Sequence, residues 1–124
     1  LLINSQSTGV DLLEQYLVQE LQQVFNERAF IQVFLNDELV IMNEEVISIV
    51  QQCRVNYHLY QQQVLLQAYD STIEPWLFDI VSTLNGLLQE YNVYITLDDG
   101  QFSINRCANL IAFCLDCIIQ SFRN

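Results

Sequence analysis

The chain has 124 residues, of which 52% are hydrophobic and 15% charged, so disorder is excluded and one domain with its own core is expected over residues 1–124. Fifteen acidic residues outnumber four basic ones, all arginines, and the net charge is −11. Nucleic acids and anionic membranes attract basic surfaces, so this charge argues against both as partners. An acidic surface is the simplest means of keeping such an apolar protein in solution.

The first predicted helix covers about residues 10–26. Its apolar residues recur at helical spacing, while glutamines and glutamates take the other side. Thr8 is a candidate N-cap, with Asp11 in the first turn. Residues 29–35 are β-branched and aromatic, but no convincing second strand exists to pair with them, so they are predicted as helix or extended linker.

The second predicted helix begins after Asn36 or Asp37 and runs toward Asp70. It carries one long apolar face, which consists of Leu39, Met42, Val46, Ile49, Val50, Cys53, Tyr57, Tyr60, Val64, Leu65 and Ala68.

A turn at residues 70–72 precedes the third predicted helix. Pro75 fits its first turn, with Ser71 or Thr72 as the cap. Gly86 in its interior costs about 1 kcal/mol relative to alanine, so close helix packing is expected there. Residues 93–97 alternate weakly like a strand, but they are predicted to extend the helix or to be irregular.

The most apolar stretch runs from Cys107 to Ile119 and is interrupted only by Asn109 and Asp116. A helix that is apolar on almost every side must be wrapped by other elements or by lipid. Thirteen residues rise only about 20 Å, less than the hydrocarbon thickness of about 30 Å, so no membrane segment is predicted. We predict an all-α fold around this central hydrophobic helix, at about residues 103–122, with Ser103 as its cap.

No enzyme, metal site or cofactor is predicted. His58 is the only histidine, and it lacks the E-x-x-H spacing of helical di-metal sites. Cys114 and Cys117 form a C-x-x-C motif, but in mid-helix rather than at the helix start where the redox motif occurs. Together with Cys53 and Cys107 they are expected to be small buried hydrophobes in a reducing compartment.

Arg106 is the candidate functional residue, because it lies about one turn into a nearly uncharged helix. One role is a local ion pair with Asp98 or Asp99. The other is recognition of a carboxylate from outside, for which a planar guanidinium is well suited.

This region resembles the first homology motif of the Bcl-2 family of apoptosis regulators, which reads D-G, two or three residues, then N-W-G-R. Asp99 and Gly100 match D-G, and Arg106 falls at the arginine position. The motif's N-W-G is replaced by S-I-N, in Ser103, Ile104 and Asn105, and the chain stops soon after the central helix. Such drift and brevity are similar to those of viral members carried by large DNA viruses such as iridoviruses or poxviruses.

The resemblance implies a Bcl-2-like helical bundle that inhibits apoptosis by sequestering the BH3 helices of pro-apoptotic proteins in a hydrophobic groove. It also implies a location in the host cytoplasm, near mitochondria. Arg106 would pair with the ligand's aspartate. The predicted groove residues are Ser103, Asn105, Arg106, Asn109 and Phe113 from the motif and its helix, and Tyr57, Tyr60, Val64, Leu88, Val93 and Leu97 from spacing.

Two alternatives stay open. The same fold could serve as an adaptor that binds an innate-signalling partner. A purely structural helical subunit of a larger assembly would instead use its apolar faces for packing, with Arg106 as a local ion pair. Self-association into a homodimer is also expected to be possible, since an empty apolar groove favours association.

Overall fold

The computed structural model describes residues 7–31, 43–97 and 103–124. Apart from short connections these residues are helical, and they contain no strand, which confirms the predicted all-α class. In chain order the elements are α1 (Gly9–Asn26), α2 (Glu44–Tyr69), a 3-10 helix (Ser71–Trp76), α3 (Leu77–Leu97) and α4 (Ile104–Arg123). A further helical turn at 28–31 follows α1.

Helix α1 is the centre of the described packing. It contacts α2, α3 and α4, and its prediction as a helix over 10–26 is confirmed. Thr8 occupies the N-cap position, although its hydroxyl makes no capping hydrogen bond. The buried stripe of α1 consists of Leu12, Leu13, Tyr16, Leu17 and Leu21.

Helix α4 is not wrapped on every side, and this part of the central-helix prediction is wrong. One side of α4 packs against α1 and α3, where the small residues Ala108 and Ala112 are fully buried. The other side exposes Leu110 and Phe113, the latter at 63%. Scattered exposed apolar residues are normal on protein surfaces, so an apolar run in the sequence does not mean that every residue in it is buried. The predicted cap is confirmed, since the Ser103 hydroxyl accepts a hydrogen bond from the Arg106 backbone N–H at 3.3 Å.

Helix α2 has two halves with different surroundings. Its second half is packed into the core, whereas from 44 to 56 every residue except Val46 is exposed. Ile49, on the predicted apolar face, is 63% exposed. The side chain of Asn43 caps the helix by accepting hydrogen bonds from the backbone of Glu45 and Val46. The predicted caps Asn36 and Asp37 lie outside the described residues.

The connection between α2 and α3 is held by Asp70 within it and by Arg123 near the end of α4. Asp70 has a φ of 64° and caps the 3-10 helix by accepting a hydrogen bond from the Thr72 backbone N–H, so the predicted caps Ser71 and Thr72 are wrong. Near the end of α4, Arg123 donates to the Thr72 hydroxyl and to the Tyr69 carbonyl, and forms an ion pair with Asp70 at 3.4 Å. Arg123 therefore ties α4 to this connection.

Gly86 lies in the middle of α3, but the expected close packing is absent among the described residues: a Cβ built at this position meets none of their atoms within 4 Å, apart from its own helix backbone. Replacing Gly86 with alanine should therefore raise the free energy of unfolding by about 0.5–1 kcal/mol, because alanine has less conformational entropy to lose. Urea denaturation of both proteins measures the difference. An unchanged or lower stability would contradict the open environment found at this position.

Candidate functional site

A cavity of about 600 Å³ lies between the second half of α1, the middle of α2 and α3. This volume is in the range of protein ligand sites, which often occur between the helices of bundles. Its apolar lining comes from Val24, Ile31, Leu88, Val93 and Leu97. The cavity is therefore a concave, largely apolar surface that the described helices offer to a ligand.

Four of the predicted groove residues line this cavity: Tyr57, Leu88, Val93 and Leu97. Two others belong to the interior. Val64 is buried in the hydrophobic core, and the half-buried Tyr60 packs against the ring of Tyr16 with centroids 5.9 Å apart.

The remaining predicted residues are on α4 or at its start, and they do not line the cavity. All are exposed: Ser103, Asn105, Arg106, Asn109 and Phe113. Arg106 forms no ion pair within the described ranges, and its predicted local partners Asp98 and Asp99 lie outside them. The described geometry therefore separates the motif residues from the cavity.

The arginine that does line the cavity is Arg54 on α2, together with the half-buried His58 one turn later. Arg54 is exposed, so its guanidinium is open to a ligand. Sequence reasoning did not single it out, because no motif surrounds it. The one available signal was that it is among only four cations.

A network of buried and half-buried hydrogen bonds runs from α3 to Glu20 in the cavity wall. Gln61 is fully buried and its Nε2 donates to Asn85 Oδ1 at 3.0 Å and to the Tyr16 hydroxyl at 3.1 Å. The Tyr16 hydroxyl donates to that of Tyr57 at 3.3 Å, and Tyr57 donates to the carboxylate of Glu20. The network therefore ends on Glu20, an acceptor that lines the cavity.

Burial governs the electrostatics of this network. Desolvation raises the pKa of Glu20, while the hydrogen bond from Tyr57 acts in the opposite direction and the charge of Glu27 adds to the increase. Desolvation likewise raises the pKa of Tyr16 and Tyr57, so both remain protonated donors at neutral pH. Glu20 is thus a half-buried carboxylate whose charge is only partly compensated.

Replacing Glu20 with glutamine should make the protein more stable at pH 7, by about 0.5–2 kcal/mol. Because the folded-state pKa is raised, Glu20 contributes stability below its ordinary value of 4.5 and loses it as pH rises through the folded-state value. The advantage of the glutamine variant should therefore grow from pH 4 to pH 7. Denaturant unfolding at both pH values measures it, and an equal difference at both would show that the charge is not responsible.

Asn92 brings a second polar feature to the cavity. Its Oδ1 is buried and receives no hydrogen bond from the described part of the chain. A buried acceptor without a donor costs about 1–3 kcal/mol. Such groups are uncommon in folded proteins, and one beside a cavity indicates a place where a ligand can supply the missing donor.

The described residues form no group of three or more histidine, cysteine or acidic side chains that would hold a metal ion. None of the described helices is long and apolar enough to cross a membrane. All four cysteines are free thiols. Cys107 is buried, and burial raises its pKa to about 11, whereas Cys53 and Cys117 are exposed, so the expectation that all four are buried is wrong.

No protein-family model, no curated protein and no solved structure matches this chain.

Proposed function

We propose that this chain is a Bcl-2-like inhibitor of apoptosis that binds amphipathic BH3 helices in the cavity between α1, α2 and α3. The observation that carries the proposal is the apolar, open cavity itself. A helix bound in a groove inserts apolar side chains spaced three or four residues apart. Val93 and Leu97 stand one turn apart on α3 and are more than half exposed, so they offer such a ligand a matching row.

A BH3 helix also carries an aspartate that meets an arginine, and two arginines qualify. The Bcl-2 motif favours Arg106, while the cavity lining favours Arg54. A charged hydrogen bond is worth about 1.5–3 kcal/mol, which corresponds to a change in affinity of roughly 10- to 150-fold. A ligand that fills the cavity contacts Arg54, so we assign the aspartate to Arg54.

Calorimetric titration with a panel of BH3 peptides tests the proposal, with Arg54→Ala and Arg106→Ala as controls for each other. Both substitutions remove one exposed arginine, so they change the net charge equally. We expect sub-micromolar binding to at least one peptide, weakened at least tenfold by Arg54→Ala and unchanged by Arg106→Ala. The reverse pattern would move the ligand to the exposed side of α4, and binding to no peptide would reject the proposal.

A second pair of variants locates the ligand on the cavity wall. Leu97→Glu places a charge on the exposed row that Val93 and Leu97 form along the cavity. Leu59→Glu places the same charge on an exposed leucine of α2 that does not line the cavity. Both leucines are more than half exposed, so neither variant should unfold the protein. Only Leu97→Glu should weaken peptide binding; equal weakening by both would argue against the cavity.

A structural subunit of a larger assembly is the second candidate, and the exposed apolar residues in the first half of α2 favour it. Light scattering after size exclusion distinguishes the two. The first proposal predicts a monomer of 14.5 kDa or a dimer, and the measured size should change when a BH3 peptide is added. An obligate higher assembly that ignores the peptides would support the second, and a discrete particle that ignores them would favour the adaptor alternative.

A further inference from the structure

Among the described residues, Glu20 is the one acidic residue in the cavity lining. It follows Tyr16 by one helical turn on α1 and precedes Val24, which also lines the cavity, by another. The residue is half-buried, and no ion pair joins it to a cation within 7–31, 43–97 or 103–124. A carboxylate in this position is expensive to desolvate unless a positive charge compensates it.

The surrounding side chains hold Glu20 as an acceptor. Gln61 donates a hydrogen bond to the Tyr16 hydroxyl, which donates in turn to the Tyr57 hydroxyl. Tyr57 then donates to the Glu20 carboxylate. One tyrosine hydroxyl satisfies only one of about four acceptor positions of a carboxylate, so Glu20 can accept further hydrogen bonds. A group fixed in this way is preorganised to receive a donor from the cavity.

We infer that Glu20 receives a cationic group of the ligand, a lysine or arginine side chain on the apolar face of the bound helix. This inference rests on the proposed function and adds a requirement to it. Charge favours the assignment, since a chain with a net charge of −11 attracts a basic partner. Arg54 lines the α2 side of the same cavity, so the preferred helix carries a basic residue toward α1 and an acidic residue toward α2.

Asn92 gives independent support from α3. No described residue donates to its buried Oδ1 beside the cavity, and rotation of the amide toward the cavity would present this oxygen to the ligand. An ammonium has three donors and a guanidinium five, so a basic side chain has enough donors for both acceptors. An apolar ligand side chain in the same place would supply no donor to either acceptor.

The test uses a small probe, so that it does not depend on the ligand being a helix. Octylammonium and 1-octanol share an eight-carbon chain and differ in charge. Each is titrated into the whole protein and followed by amide chemical shifts of cavity residues such as Val24, Leu88 and Val93. The variants are Glu20→Gln and Glu90→Gln, the latter removing an equal charge from an exposed position of α3 that does not line the cavity.

We expect octylammonium to bind at least fivefold more tightly than octanol, and this preference to vanish in Glu20→Gln but survive in Glu90→Gln. Equal binding of the two probes, a preference that persists in Glu20→Gln, or no shift at the cavity residues would each overturn the inference. Because the probes are not helices, a charge preference at Glu20 combined with failure of every BH3 peptide would reject the proposed function alone.

Discussion

Replacing Leu17 with alanine should lower the free energy of unfolding by about 2–5 kcal/mol, the usual cost of removing a buried leucine side chain. Leu17 is 0% exposed and lies in the middle of α1, the helix that contacts α2, α3 and α4. The void left by the missing side chain would lie where α1 meets several other helices, so the surrounding structure could not easily move in to fill it. Total stabilities of natural domains are about 5–15 kcal/mol, so this one change removes a large share.

Leu59→Ala is the matched control, because it removes the same atoms from a leucine of α2 that is 51% exposed. Its expected effect is below about 0.5 kcal/mol. Denaturant unfolding followed by circular dichroism compares the two variants. If they cost the same, α1 is not the centre of the core.

Replacing Gln61 with leucine should cost about 1–3 kcal/mol for each buried partner that it leaves unpaired. Its fully buried amide donates a hydrogen bond to Asn85 Oδ1 and accepts one from Asn85 Nδ2. It also donates to the Tyr16 hydroxyl. Leucine has a similar volume, so packing alone would predict a small change. A large loss measured by denaturant unfolding would therefore report the hydrogen bonds.

A double-mutant cycle isolates the bond between Gln61 and Asn85. Leucine at both positions removes both partners, so the double variant should be more stable than the sum of the single losses predicts, by at least about 0.5 kcal/mol. Strict additivity would mean that the amide pair contributes nothing of its own. Tyr16 remains in all four proteins, so its lost donor cancels in the comparison.

Local sequence signals located the packed helices well. The stripe of α1 and the cap at Ser103 are where they were expected, and the weakly alternating residues 93–97 continue α3 as a helix. Periodicity says only which residues share a face, however, and not whether another element reaches that face. For this reason the apolar face around Ile49 could be predicted from spacing, but its exposure to solvent could not.

The cavity was harder to anticipate, since it depends on where three helices separate. Tyr57, Leu88, Val93 and Leu97 were found by spacing, because apolar residues on facing helices also line the space between them. Glu20 and Asn92 were not found, since polar residues in an amphipathic pattern are ordinarily assigned to solvent. Both are noticed through their burial beside the cavity, which only three-dimensional packing defines.

The two halves of α2 should also differ in how readily they open. Amide hydrogen exchange of the packed second half should require unfolding of the whole domain, whereas the first half should exchange through local opening. Isolated helices shorter than about 12–15 residues are marginal in water, so residues 44–56 depend on the packed turns that follow. Arg54 and Tyr57 stand near this junction and line the cavity. Fraying of α2 would therefore reshape the cavity entrance while the core stays folded.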